Sequence, residues 1–385
     1  MEQTTVGQTE RGRRWAATMA GHDGRGVRTA HADSRATLGA PGPVPPLDRR
    51  AREEAEDRSL APGATRAGDA GRRALPEEPD PLRTCFERDR DRILHSPAFR
   101  RLAGKTQVFV FPADHQRTRL THALEVAQVA TGIAQACRLN VALTEAIALG
   151  HDCGHGPGGH MSEDALGIFL PEGFDHAVWG ADVSLADLNL CEETVDGIRN
   201  HSWSRPAPGT PEGEVVSWAD RVAYVCHDWE DAVSAGIVTP ALLPDLVRDR
   251  CGSSRSSQLG TFIEDMVRTT LTTGRVGMSP DTAEALAAFR RGNYEHVYLR
   301  PASVSQGTSV VAVLRALVAH FADHPNRIPG AGGGAGLAGG SDQAVFEAVA
   351  YVAGMTDRFA LGIAVADLGW DPERLPRGID QLAPR

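Results

Sequence analysis

Gly150-His151-Asp152-Cys153-Gly154-His155-Gly156-Pro157-Gly158-Gly159-His160 is the stretch on which the reading of this chain turns. The apolar run 141–150 leads into it and reads as a helix ending at Gly150, because glycine favours the positions where a helix stops. His151 and Asp152 then sit at an unwinding terminus. There an adjacent imidazole and carboxylate can face one ion, whereas positions i and i+1 of a regular helix diverge. Outward from this stretch the pattern is helical almost throughout. Helices are expected over 84–103, 116–138, 141–150, 160–170, 175–189, 191–201, 212–235, 258–273, 281–291, 305–323 and 342–366. No alternating run is long enough for a sheet, and 107–111 is at most a short strand. The fold class expected is all-α.

Composition narrows the function. The chain has 385 residues, 41% of them hydrophobic, and a net charge of −10. A core is therefore affordable, while a broad basic surface for nucleic acid is excluded. An anionic small substrate stays open, since a bound metal and a few arginines can reverse the field inside one pocket. Six scattered cysteines without a C-x-x-C pair read as reduced thiols of a cytoplasmic protein. No apolar run reaches about 18 residues, so no membrane partner is expected. Residues 1–82 are rich in Gly, Ala, Arg, Asp, Glu and Pro without apolar periodicity. They are expected to be disordered, or to precede the true start of the protein. The helical core is then expected over 83–240, a helical C-terminal region over 241–366, and a tail over 367–385. Within the C-terminal region, 329–340 reads as a flexible glycine-rich loop. Its G-x-G-x-x-G from Gly334 to Gly339 lacks the preceding strand that a dinucleotide site needs, and is rejected.

Seven of the fourteen histidines, His115, His122, His151, His155, His160, His176 and His201, fall between residues 115 and 201. An even spread would place about three there. Imidazoles clustered with carboxylates are how a polypeptide builds a divalent metal site. Beside His151 and Asp152, a mid-helix His122 and an Asp220 on a later helix can complete a four-ligand set. Two nitrogens and two oxygens suit Mn²⁺, Mg²⁺, Fe²⁺ or Co²⁺ better than structural zinc.

This H…HD…D arrangement resembles the HD-domain phosphohydrolases. More narrowly it is similar to the dGTPase-like deoxynucleoside triphosphate triphosphohydrolases. The phrases that carry the likeness are 89–96, Phe99 to Gln107, Arg117-Thr118-Arg119-Leu120-Thr121-His122, the stretch 143–166, and Tyr351 to Phe359. The resemblance covers roughly 83–366 in order. It implies an HD-domain helical bundle with a helical C-terminal extension, and homo-oligomers in contact through about 240–366. Two places depart from the family pattern. Gly158 stands where a bulky residue is usual, and after His176 comes Ala177-Val178-Trp179-Gly180-Ala181-Asp182 where Gln-Ser and a basic residue are usual. Both bear on base recognition and control more than on the metal ligands.

Roles for the remaining groups follow partly from spacing and partly from the likeness. His160 and Glu163 form H-x-x-E, so both can share one helix face. By carry-over, His160 is the proton donor to the leaving oxygen, oriented by Glu163, and His176 is a second proton-transfer or phosphate-contact candidate. His155, three residues after Asp152, is either a phosphate contact or a structural hydrogen bond. Arg119, three residues before His122, should aim at the metal and grip phosphate in a fork. Arg117, about 200° round the helix from Arg119, reads as a surface or inter-subunit residue. Asp220, Tyr224 and Asp228 recur at i, i+4 and i+8 on one stripe. The likeness implies that Tyr224 and Asp228 line the deoxyribose, with Tyr224 excluding a 2′-hydroxyl, and that Gln107 reaches the same sugar. For Tyr224 and Gln107 a plain structural role is an even alternative. His201 reads as a capping or structural residue, and His115 as a substrate contact or a loop residue.

The reaction implied is hydrolysis of a deoxynucleoside triphosphate to deoxynucleoside and tripolyphosphate, with a second nucleotide as an allosteric partner. The alternatives are another phosphoester, such as a deoxynucleoside monophosphate, or a nucleotide sensor without catalysis. A purely helical interaction protein does not account for seven clustered histidines.

Overall fold

The computed structural model describes residues 9–376 and 378, except 19, 25, 40–42, 111–115 and 331–335. Two compact units result, 1–47 and 48–385. The first holds helix α1 (Glu10–Thr18) and a hairpin of β1 (His22–Gly24) and β2 (Val27–Thr29), with Asp23 opposite Arg28. This hairpin is the one sheet among the described residues.

Among its described residues the second unit is mostly helical. Its first part runs α2 (Arg49–Ser59), α3 (Cys85–His95), α4 (Pro97–Arg101), α5 (Arg119–Ala136), α6 (Val141–Gly150), α7 (Met161–Leu166), α8 (His176–Trp179), α9 (Glu192–Asn200) and α10 (Pro211–Ser234). It continues through α11 (Asp245–Cys251), α12 (Arg255–Thr273), α13 (Pro280–Asn293), α14 (Pro301–Asp323), α15 (Asp342–Ala353) and α16 (Asp357–Leu368). The fold is all-α, as expected.

Helix α6 is the centre because most of its residues are apolar and buried. Leu143, Ala146, Ile147 and Leu149 are buried, and α3, α5, α9 and α10 pack about it. Asn140 starts this helix by accepting the Leu143 amide. The core built on it takes in α11 to α13 and reaches Val297. A second core begins with α14, whose Val310, Val313, Leu314, Leu317 and Phe321 pack against α15, α16 and α7. Helix α14 is also long and apolar enough to cross a membrane by length and composition alone. Its apolar face is spent on this core. All six cysteines are unpaired.

Three expectations need correction. The helix expected over 84–103 breaks at Ser96, whose hydroxyl caps the Phe99 amide at 3.1 Å while Pro97 opens α4. The helix expected over 342–366 breaks at 354–356 between α15 and α16. Disorder to residue 82 does not describe 49–75 either. Helix α2 forms, Ala64 and Ala67 are buried, and the buried Glu212 carboxylate accepts from Thr65 N (3.0 Å), Thr65 Oγ1 (2.8 Å) and Asn140 N (2.9 Å). Polar contacts from a distant helix hold this arm, which apolar periodicity does not report. Residues 107–110 are irregular backbone, within the expectation of at most a short strand there, and Phe111 lies outside the described residues.

Glu212→Ala strands these buried donors and should cost about 3 kcal/mol of stability. A shift of the chemical denaturation midpoint measures it, and an unchanged midpoint would show that the arm is not held this way.

Candidate metal centre and adjoining pocket

The centre is built on two helix ends. Helix α6 stops at Gly150, and His151 follows as its C-cap with φ −54° and ψ −39°. Its Nδ1 lies 2.6 Å from the Ala148 carbonyl, which can only accept, so Nδ1 carries the hydrogen and Nε2 is bare. His201 caps α9 in the same way, with Nδ1 donating to the Ile198 carbonyl at 2.8 Å. The two rings meet edge to face, 5.0 Å apart.

The bare Nε2 of His151 is buried and has no hydrogen-bond partner among the described residues. It lies 3.5 Å from Asp152 Oδ1 and 3.7 Å from Asp220 Oδ1. His122, inside α5, brings its Nε2 to 3.0 Å from the same Asp220 oxygen. Burial would raise the pKa of Asp152, yet Arg119, His151 and His155 hold it well below the usual carboxylate range. Burial works likewise against Asp220, and His122 and His151 hold it down. Two ionised carboxylates facing an orphaned imidazole nitrogen form a donor set that fits a divalent cation. The residues that would hold it are His122, His151, Asp152 and Asp220.

Arg119 opens α5 and donates from Nη1 to Asp152 Oδ2 at 2.7 Å, while its Nε is buried and has no partner among the described residues. To get there its guanidinium passes Gly159. That residue has φ +65°, and a Cβ on it would lie 2.7 Å from Arg119 Nη2. Only glycine fits.

A second cluster adjoins the first. His176, at the start of α8, is fixed on both ring nitrogens: Nδ1 meets Glu163 Oε1, and Nε2 lies 3.2 Å from His201 Nε2. Because the hydrogen of His201 is on Nδ1, its Nε2 accepts, so His176 donates from Nε2 as well as to Glu163. His176 is therefore an imidazolium. Burial opposes that charge, but the Glu163 hydrogen bond and charge outweigh it and raise the pKa. Burial, with His151 and His176 beside it, pushes His201 down to about 3, so that ring stays neutral. His155 stacks on His176 at 3.8 Å and is held well below the ordinary histidine value by burial, Arg119 and His176. Its Nε2 lies 3.2 Å from Asp152 Oδ1.

The expected His160–Glu163 pairing is present and is shared with a third residue. Glu163 Oε1 meets His176, and its Oε2 lies 3.8 Å from Nδ1 of His160, whose side chain is 74% exposed. One carboxylate thus faces a buried ring and an exposed one. His201 caps α9, in keeping with the capping or structural role expected, and it also stands inside the cluster. Its signal was present in the sequence, as a second histidine directly after a helix, like His151. Arg117 is not a surface residue. It is 12% exposed and ion-paired with Glu125 (2.9 Å), Glu230 (2.8 Å) and Asp231 of its own chain. His115 lies outside the described residues.

Beyond Asp220 the stripe continues along α10. The Tyr224 hydroxyl accepts from Arg290 Nε at 2.9 Å, and Asp228 Oδ2 accepts from the Tyr298 hydroxyl at 2.6 Å. Burial pushes Asp228 up to about 7 despite that bond. Asp228 Oδ1 and Gln107 Oε1 are buried without partners among the described residues. Sequence reasoning missed Arg290, Tyr294 and Tyr298, although they repeat the i, i+4, i+8 spacing of the stripe they face. It also missed Arg221, whose guanidinium lies 3.6 Å over the Trp203 ring.

Residues 119–225 match the HD domain family, and residues 276–364 match the phosphohydrolase-associated domain. A deoxyguanosinetriphosphate triphosphohydrolase-like protein of Caldanaerobacter subterraneus subsp. tengcongensis is 41% identical over 320 residues, covering 81% of this chain and 93% of that one. This chain belongs to the HD-domain phosphohydrolases, in the dGTPase-like family. A protein of the same description from Clostridium perfringens is 40% identical over 305 residues, 75% of this chain and 88% of that one. Among solved structures, a hypothetical protein from Aquifex aeolicus is similar at a TM-score of 0.47 and 17% identity, over 74% of this chain and 70% of that one.

In this phosphohydrolase, Asp152→Asn keeps an acceptor for Arg119 and removes the charge that a cation needs. The variant should keep its helical circular dichroism and lose bound Mn²⁺ when metal content is measured after dialysis. Metal retained at the wild-type level would remove Asp152 from the ligand set.

Proposed function

We propose that this phosphohydrolase cleaves deoxynucleoside triphosphates at the α-phosphorus, releasing deoxynucleoside and tripolyphosphate. The observation that carries the reading is the single stripe on α10. It joins the cation ligand Asp220 to Tyr224 and Asp228, which Arg290 and Tyr298 meet from the facing segment. The curated relatives are named for a triphosphohydrolase-like protein of deoxyguanosine triphosphate, which points to the same substrate class.

A divalent cation at His122, His151, Asp152 and Asp220, Mn²⁺ or Mg²⁺ with Fe²⁺ or Co²⁺ as alternatives, would lower the pKa of water and draw charge from a phosphoryl oxygen. The chain's own groups supply the rest. Arg119 has one nitrogen on Asp152 and an Nε, unpartnered among the described residues, to offer phosphate. Arg221 and Arg290, which pair with aromatic groups rather than carboxylates, add positive charge toward the polyphosphate. The His176 imidazolium stabilises negative charge as it develops, with neutral His155 stacked between it and Asp152. As water bonds to phosphorus, the bond to the 5′-oxygen breaks and that oxygen takes a proton from His160 at the mouth. Tyr224, pinned by Arg290, packs under the deoxyribose and leaves no room for a 2′-hydroxyl, while Asp228 and Gln107 accept from the sugar. Homo-oligomerisation through the C-terminal helices and activation by a second nucleotide belong to the same proposal.

Incubation with Mn²⁺ and each dNTP, singly and mixed, should yield deoxynucleoside and tripolyphosphate in chromatography of the products. Orthophosphate release from a deoxynucleoside monophosphate alone would overturn the choice of substrate. Tyr224→Ala should reduce the preference for dNTP over NTP by about tenfold, the scale set by one excluded polar group. An unchanged ratio would remove Tyr224 from the sugar. Glu163→Gln takes away the charge that keeps His176 protonated, so the alkaline limb of the kcat profile should move to lower pH. A limb that stays in place would show that the His176 charge is not used.

A further inference from the structure

The family phrase from Tyr351 to Phe359 has no place in the chemistry above, yet the structure brings it against the back of the catalytic loop. It spans the junction of α15 and α16. Gly104 abuts it so closely that a Cβ there would lie 2.8 Å from Thr356 Cγ2. The Lys105 ammonium donates to the Ala353 carbonyl at 3.0 Å and also to the His155 carbonyl. Asp357, at the first position of α16, then reaches two segments far away in sequence. Its Oδ2 accepts from Thr106 N at 2.9 Å and from Thr106 Oγ1, and its Oδ1 accepts from Gly158 N at 2.9 Å. Asp357, Lys105 and Thr106 are all buried.

The two segments that Asp357 joins are those that shape the site. Thr106 precedes Gln107, and its carbonyl would lie 2.9 Å from a Cβ on Gly159, the residue that Arg119 passes on its way to Asp152. Gly158 lies midway between His155 and His160. It has φ +75°, and a Cβ on it would meet Val310 of α14 at 2.5 Å. The departure from the family pattern at Gly158 is thus matched by a side chain from the second core that fills the same space. A loop with two successive positive-φ glycines has little stiffness of its own. Its position has to be imposed from outside, and a buried carboxylate accepting three hydrogen bonds can do so.

We propose that Asp357 is a positioning residue for the catalytic loop. From the phosphohydrolase-associated segment it clamps Gly158 to Thr106 and so sets where His155 and His160 stand relative to Asp152. The proposal does not depend on which phosphoester is cleaved. A stabilising role confined to α16 would need the carboxylate to serve its own helix. Among the described residues its hydrogen bonds go to Thr106 and Gly158 instead.

The test uses the full chain with Asp357→Asn, which keeps one accepting oxygen, and Asp357→Ala, which keeps none. Hydrogen exchange by mass spectrometry, Mn²⁺ content and turnover of bis(p-nitrophenyl) phosphate are measured together. In Asp357→Asn, exchange should quicken about tenfold in peptides covering 104–108 and 155–160, as expected for one lost amide bond, and stay unchanged in α5 and α10. Mn²⁺ content should hold, and kcat should fall at least about tenfold with KM within about threefold, because the loss falls on alignment rather than binding. Asp357→Ala should show the same pattern, enlarged; if it does not fold, Asp357→Asn decides alone. Exchange raised only within α14 to α16, or loop exchange at the wild-type rate, would overturn the proposal. So would kcat per folded molecule at the wild-type level. If neither protein turns over the phosphodiester, the exchange data still decide, because they need no substrate.

Discussion

A helix leaves its last carbonyls without partners inside the helix, and the way two of them are satisfied determines this site. His151 and His201 each follow the last residue of a helix and each return Nδ1–H to a carbonyl three residues back. The backbone thereby chooses the tautomer, and Nε2 becomes the working nitrogen of both rings. Asp152 comes next to His151 in sequence, so it enters the same space. Once it is buried there, its charge needs Arg119, Arg119 needs Gly159 to have no side chain, and the neutral His201 ring leaves His176 as the donor between them.

Charge balance keeps this crowd of polar groups folded. An uncompensated buried ion costs several kcal/mol, and the buried charges here are answered locally. Asp152 has Arg119, Asp220 has His122, and Glu163 has His176. Lys105 solves the problem differently. Burial, with Arg101 nearby, pushes it down to about 7, so it is readily neutral, and it spends its hydrogens on two backbone carbonyls. Asp228 is the counterpart among the acids, raised by burial and faced by a tyrosine hydroxyl rather than a cation.

Much of this was readable before any coordinates, and the parts that were not have a common cause. The all-α class followed from long runs at helical spacing. Of the four groups that would hold a cation, His122, His151 and Asp152 stood out because two are adjacent and all three sit in the histidine-rich stretch, while Asp220 lies beyond it on a later helix. The α10 stripe was a matter of counting by four. What escaped depends on partners distant in the chain. Helix α2 is charged and carries no apolar stripe, and its arm is held by Glu212, 147 residues from Thr65. Arg290 and Tyr298 donate hydrogen bonds to Tyr224 and Asp228, 66 and 70 residues away. His160 and Glu163 meet as their spacing allows, and His176, 13 residues on from Glu163, takes the other carboxylate oxygen. Spacing reports who can meet along one helix. It does not report who joins them from another.

Helix α10 also works as a ruler. Asp220 and Asp228 are separated by eight residues of regular helix, about 12 Å at 1.5 Å per residue, with Tyr224 at the midpoint. One added residue between them would swing Asp228 about 100° off the stripe and lift it about 1.5 Å along the axis. The span between Asp220 and Asp228 is therefore quantised, and this helix can change its letters over evolutionary time but not its count.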